Sequence, residues 1–335
     1  MAINKIGVIL INLGSPEEPT KRGVARFLRE FLADGRVVEI PRLIWWVLLN
    51  GLVIPLRAKR VAEAYRSIWL PEGSPLTVYT RGLAEKVHAS LETDDSCKVK
   101  ADGSSKVKNV TWAMTYGGPS IATRIAELSA EGMDKILLIP LFPQYSSTTT
   151  GAVYDSVANL IKRERNVPDV YVIKDYHQHP AYIEALAQSA EEHWEKYGRN
   201  DRLLMSFHGI PEDYAAKGDP YPEHCQNTAN ALARRLNLKE SDWQISYQSR
   251  FGRQRWLQPY TSKTLQEWGE QGLPGVDVIC PAFSADCLET LEEIDVENRD
   301  FFIDAGGKNF SMIPCLNIHQ AHVRLMEQII KENSF

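Results

Sequence analysis

Leu203-Leu204-Met205-Ser206-Phe207-His208-Gly209-Ile210-Pro211 is an uncharged apolar run that ends on a histidine and is broken by Gly209 and Pro211. Its first five residues carry apolar side chains without polar alternation, apart from one serine. That pattern predicts a strand covered on both faces, as in a parallel sheet. Six more segments read the same way: Gly7–Leu13, Val110–Met114, Lys135–Leu141, Val170–Lys174, Gln244–Tyr247 and Val276–Cys280. Helical patterns lie between them, including Thr20–Ala33, Leu76–Leu91, Ser120–Glu131, Gly151–Lys162, Ala181–Glu195, Pro222–Leu236, Thr261–Glu270 and Asp286–Asn298, with a last helix over 318–331. Strands alternating with helices make βαβ units and an α/β fold. Seven or eight strands exceed one small sheet, so two doubly wound domains are expected, 1–165 and 166–315, with 316–335 as a C-terminal helix packing back across them. The polar stretch Glu92–Asn109 reads as an exposed excursion.

The chain has 335 residues, of which 44% are apolar and 24% charged, which excludes a disordered chain, a collagen or a coiled coil. With 38 Lys and Arg against 43 Asp and Glu the net charge is −5, so no nucleic-acid partner is expected. Cys97, Cys225, Cys280, Cys287 and Cys315 form no C-x-x-C pair, which points to a reducing, cytoplasmic setting without a disulfide framework. The N-terminal apolar run lacks a small-residue cleavage site, so no signal peptide is expected. The longest apolar stretch, Leu43–Leu56, contains Trp45 and Trp46 and is flanked by Arg36, Arg42, Arg57, Lys59 and Arg60. It is shorter than the roughly 20 residues needed to span a bilayer. A plain core helix and an interfacial lip over a ligand site both fit it.

No G-x-G-x-x-G, Walker loop, H-E-x-x-H or G-x-S-x-G occurs, which removes the common cofactor and hydrolase readings of an α/β chain. In doubly wound sheets ligands sit beyond the carboxyl ends of the strands. His208 ends one strand, where it serves either chemistry or a local backbone bond. Beyond Val276–Cys280, Ser284 or Asp286 is placed to cap a helix whose first turn carries Glu289. On an α-helical wheel Glu289, Glu293 and Glu297 form a stripe nearly opposite Leu288, Leu291 and Ile294. That stripe is either a solvated face or a carboxylate ridge carrying a cation or protons. Ser146 to Thr150 opens a helix whose amides attract anions, and Thr115-Tyr116-Gly117-Gly118-Pro119-Ser120 turns into another. Arg250, Arg253 and Arg255 make a solvated loop or an anion-steering rim. His319 and His322, with no third ligand in view, read as surface residues, and Cys280 and Cys287 as small buried hydrophobes.

Six motifs in order resemble those of the ferrochelatases over nearly the whole chain. They are Asn12-Leu13-Gly14-Ser15-Pro16, Gly73-Ser74-Pro75-Leu76, Pro143-Gln144-Tyr145-Ser146 with Thr149-Thr150-Gly151, Ser206–Pro211 with Gly218-Asp219-Pro220-Tyr221, Gln248–Gly252 with Trp256 and Pro259, and Asp286–Glu293. The resemblance implies two similar Rossmann-like domains with a cleft between them. It also implies a lyase-type metal chelatase that inserts Fe²⁺ into protoporphyrin IX, yielding protohaem and two protons. By the same resemblance His208 and Glu289 are the metal-site and catalytic pair, with Glu293 and Glu297 as a proton or metal path. The porphyrin is expected against Leu13, Tyr116, Tyr145, Ser146, Ser249, Trp256 and Phe283, with Trp45 and Trp46 in the lip 43–56, which also suits peripheral membrane contact. The chemistry agrees, since imidazole and carboxylate suit Fe²⁺ and both accept protons. Which of the two carries metal and which takes the proton stays open. Some relatives hold a cysteine-ligated iron–sulfur cluster; without a cysteine cluster here, no permanently bound cofactor is expected. Thr115 and Cys287 stand where some relatives have arginine and histidine. Leu13, in place of a tyrosine, favours protoporphyrin over the coproporphyrin III used by a related branch. A non-catalytic porphyrin or metal carrier of the same fold is the alternative.

Overall fold

The computed structural model describes residues 4–93, 105–252 and 254–333. Residues 94–104 of the expected polar excursion, Cys97 among them, and Arg253 lie outside it. The chain divides into two compact units. The first comprises the residues up to Leu141, Ser147–Asp175 and the C-terminal residues from His322; the second comprises Phe142–Ser146 and Tyr176–Ala321.

Each unit is built on one four-stranded parallel sheet. In the first, β1 (Asn4–Asn12), β2 (Ser105–Met114), β3 (Lys135–Pro140) and β4 (Asp169–Val172) run in the order β2-β1-β3-β4. In the second, β5 (Arg202–His208), β6 (Trp243–Gln248), β7 (Gly275–Ile279) and β8 (Asn309–Met312) run β6-β5-β7-β8, the same order again. All pairings are parallel. The central strands β3, β5 and β7 are buried along nearly their whole length, because helices cover both sheet faces. The edge strand β4 alternates exposed and half-buried residues, and β8 is half-buried beyond its first residue. The two sheets share a further detail. The strands β4 and β8 both lead to a histidine, His179 or His319, whose Nδ1 accepts the amide two residues on at 3.2 Å and caps the next helix.

This topology fixes where chemistry can occur. In the second unit the strand order reverses between β5 and β7, and in such sheets ligands bind beyond the carboxyl ends of the strands at that reversal. His208 is the last residue of β5, and the chain leaving β7 leads to Glu289.

Two helical readings are corrected. The segment expected as an α-helix over Asp286–Asn298 is a turn followed by a π-helix, Glu289–Asn298, with the Arg299 N–H bonded five residues back to the Ile294 carbonyl. The wider turn brings Thr290, Ile294 and Asn298 into one buried row, instead of Leu288, Leu291 and Ile294. Glu289, Glu293 and Glu297 each precede a member of that row, so the acidic stripe borders the buried face and is half-buried. Likewise 42–68 is one helical run, Arg42–Leu48 and Ile54–Ile68 joined through a π-helical turn Leu49–Val53. His322, expected at the surface, is buried.

Candidate functional site

Local chemistry sets the state of His208. Its Nδ1 lies 2.6 Å from the carbonyl oxygen of Gly209, and a carbonyl only accepts, so Nδ1 carries the proton. Neutral imidazole then keeps its lone pair on Nε2, as a ligand or base requires. Gly209 is required beside it: a Cβ there would lie 2.9 Å from the Gln248 carbonyl oxygen and 3.1 Å from the Trp256 ring. The ring of His208 is flanked by Trp256, with centroids 6.4 Å apart, and by Phe283 at 6.3 Å. Trp256 is delivered by a loop pinned to the residues after β5. The amide of Leu257 donates to the Ile210 carbonyl, and that of Glu212 to Arg255, each at 3.0 Å. The indole N–H of Trp256 is buried and has no hydrogen-bond partner among the described residues.

The acidic helix is held from the end of β6. Ser249 adopts φ +64°, a left-handed conformation uncommon outside glycine. That turn aims its amide (2.6 Å) and hydroxyl (2.5 Å) at the two carboxylate oxygens of Glu293. Burial raises the pKa of Glu293, the bonds from Ser249 and the nearby His208 oppose the rise, and the charge of Glu289 adds to it. Gln248 Nε2 donates to the backbone carbonyl of Glu289 at 2.9 Å. Cys287 is buried; burial and the hydrogen-bonded Glu289 push its thiol up, so it stays protonated.

His208, Ser249, Trp256, Phe283, Glu289 and Glu293 therefore share one corner of the second unit. Two other expected residues of this unit bond to the loop and helix around Asp219 and His224. Ser146 is buried and donates its hydroxyl to Asp219 at 2.9 Å, and the amide of Tyr145 donates to His224 Nδ1 at 3.2 Å. In the first unit Leu13 packs against Tyr116 and Phe27. The Tyr116 hydroxyl donates to Asp34 at 2.8 Å, and burial with that carboxylate pushes its pKa well up. A propionate reaching this hydroxyl would have to displace Asp34. Trp45 and Trp46 separate completely. Trp45 is 6% exposed and its indole donates to the Leu32 carbonyl at 2.6 Å, whereas Trp46 is 66% exposed. Exposed beside Trp46 are Leu43, Ile44, Val47, Leu52 and Leu56. Arg250 and Lys263 both lie over the ring of Tyr260, at 5.1 and 5.6 Å from its centroid.

The sequence places Gln248 at the head of a motif but gives it no role. A polar residue ending a strand next to one that ends in histidine was the available signal.

The sequence model of one family, described as ferrochelatase, matches residues 5–334. A protein named ferrochelatase from Acinetobacter baumannii is 48% identical over 329 residues, covering 98% of this chain and 95% of that one. Another from Hamiltonella defensa is 46% identical, covering 98% and 99%. Among solved structures, SirB from Bacillus subtilis with Fe³⁺ superimposes with a TM-score of 0.57 at 12% identity, covering 98% of this chain and 96% of that one. CbiX, described as the terminal enzyme for biosynthesis of sirohaem in denitrifying bacteria, gives 0.50 at 13% identity, covering 99% and 100%. These two likenesses establish the shared fold.

Proposed function

The chain belongs to the ferrochelatase family, enzymes that insert Fe²⁺ into a porphyrin in the synthesis of haem, and from that premise we propose that His208 and Glu289 handle the metal and the displaced protons. The protein is a metal-chelating lyase whose substrates are a porphyrin and Fe²⁺. The observation that carries the residue assignment is the Nε2 lone pair of His208, fixed by the Nδ1–Gly209 bond, at the strand-order reversal from which the chain also leads to Glu289.

Insertion removes two N–H protons from the macrocycle as Fe²⁺ enters. Imidazole and carboxylate are suitable Fe²⁺ ligands, and each accepts a proton. Trp256 and Phe283 flank His208 and offer apolar faces for a flat macrocycle. Glu293 and Glu297 continue the carboxylates one and two turns along the helix, a route for protons leaving or cations arriving.

Anaerobic incubation with Fe²⁺ and protoporphyrin IX, followed by absorbance, is expected to show porphyrin loss matched by haem gain. Porphyrin binding without haem from either protoporphyrin IX or coproporphyrin III would overturn catalysis in favour of a carrier. Haem from coproporphyrin III alone would overturn the substrate assignment.

We also place the protein in the cytoplasm with peripheral membrane contact through 43–56. No helix among the described residues is long and apolar enough to cross a membrane. Leu43 is 86% exposed, and Arg42, Arg57, Lys59 and Arg60 flank the apolar stretch in sequence, a pattern suited to an anionic lipid surface. Co-sedimentation with phosphatidylglycerol-containing vesicles is expected to fall several-fold in Ile44→Ser/Trp46→Ser. Trp45→Ser should instead lower thermal stability, because it empties a core position and strands the Leu32 carbonyl. Unchanged sedimentation of the double variant would remove the membrane contact.

A further inference from the structure

We infer that Gln248 is a positioning residue that fixes the spacing between His208 and Glu289, an inference resting on the assignment of those two residues to the metal. Gln248 ends β6 directly opposite His208 in the parallel register. Its carbonyl accepts the amide of Gly209 at 2.9 Å, and Gly209 is the residue whose own carbonyl orients the imidazole of His208. Its side chain reaches the other way, Nε2 donating to the Glu289 carbonyl at 2.9 Å. One residue thus holds both members of the pair, from its backbone on one side and its amide on the other.

The amide is oriented by a buried chain of hydroxyls. Ser206 donates to Gln248 Oε1 at 2.8 Å and has a single proton to give. The 2.8 Å contact between Ser206 and Thr261 must therefore be donated by Thr261, and the 2.9 Å contact between Thr261 and Ser246 by Ser246. The donors run in one direction, Ser246 to Thr261 to Ser206 to Gln248 to Glu289, each bond polarising the next. The thiol of Cys280 adds a second donor to Oε1 at 3.7 Å. The Glu289 carbonyl only accepts, so the amide N–H₂ must face it and Oε1 must face Ser206, which fixes the orientation. Gln248 is 3% exposed, and Ser206, Ser246 and Thr261 are no more so; water does not substitute for a missing partner here. The network bonds the Glu289 backbone and not its carboxylate.

The test uses Gln248→Met, which keeps size and loses both bonds, and Gln248→Glu, which keeps the acceptor for Ser206. Both are compared with His208→Ala in anaerobic assays that vary Fe²⁺ and protoporphyrin IX separately. Misplacing one member of the pair by about 1 Å is expected to lower kcat/KM for Fe²⁺ roughly 10- to 100-fold. The KM for porphyrin should stay near wild type. Gln248→Glu should recover relative to wild type as the pH is lowered, because only a protonated carboxyl donates to the Glu289 carbonyl. Folded Gln248 variants with wild-type Fe²⁺ kinetics would overturn the inference. So would a loss that falls equally on both substrates and does not recover with acid. Normal turnover in His208→Ala would instead remove the assignment beneath it, so the two failures are distinguishable.

Discussion

His208→Ala is expected to reduce iron insertion roughly 10²–10⁴-fold, the range over which a positioned proton acceptor contributes, while the protein stays folded. The separation of activity from stability follows from the contacts. His208 is half-buried at the end of β5, and its hydrogen bond runs to the carbonyl of the next residue. Deleting the imidazole takes the side-chain donor from the buried Gly209 carbonyl and removes two loose ring contacts, to Trp256 and Phe283. The five buried residues that anchor β5 in its sheet are untouched. Stability should therefore fall by about 1–3 kcal/mol, the cost of leaving one buried carbonyl without its donor. Anaerobic porphyrin loss, read beside thermal melting, separates the two quantities. Turnover within a few-fold of wild type in a folded variant would remove His208 from the chemistry.

What the sequence disclosed, and what it did not, follows from the range of the forces involved. The central strands were legible because burial on both faces writes a nearly continuous apolar run, carried by β3 and β5 and interrupted in β7 by the buried Asp277. The strand β8, Asn309–Met312, was missed: four half-exposed residues on a sheet edge carry no such signature. The places of His208, at the end of β5, and of Glu289, on the chain leaving β7, were legible from the strand pattern. The face of the acidic helix was not, since a π-helix depends on tertiary packing of residues such as Ile294 and Asn298, which no local propensity encodes. The same holds for adjacent tryptophans. Trp45 and Trp46 are identical in sequence terms, and only the Leu32 carbonyl 13 residues earlier decides which is interior. Gln248 acquires its role from a carbonyl 41 residues downstream, a relation that the period and composition of its own strand do not contain.

Glu289→Gln is expected to lower kcat/KM for Fe²⁺ by on the order of 10²-fold or more, with a smaller effect on the KM for porphyrin. The substitution is nearly isosteric, and the bond from Gln248 goes to the backbone, so the helix keeps its place while a charged ligand and base becomes a neutral amide. Glu293→Gln is the informative companion. Glu293 is held by Ser249 and has a raised pKa, chiefly through burial. A carboxyl raised in the folded state binds protons there that the unfolded chain has released, so its contribution to stability declines as pH climbs from about 4.5 through the folded value, and then levels off. Removing the titration should make the stability of Glu293→Gln relative to wild type increase over that window, measured as denaturant midpoints from pH 4 to 8. Part of the rise comes from the charge of Glu289. Glu289→Gln should therefore let Glu293 ionise at lower pH and narrow the window as well as slow the metal step. Wild-type kinetics for Glu289→Gln would end its assignment to the metal. An unshifted window in that variant would show that the two carboxylates do not sense each other, and the ridge would then not act as one path.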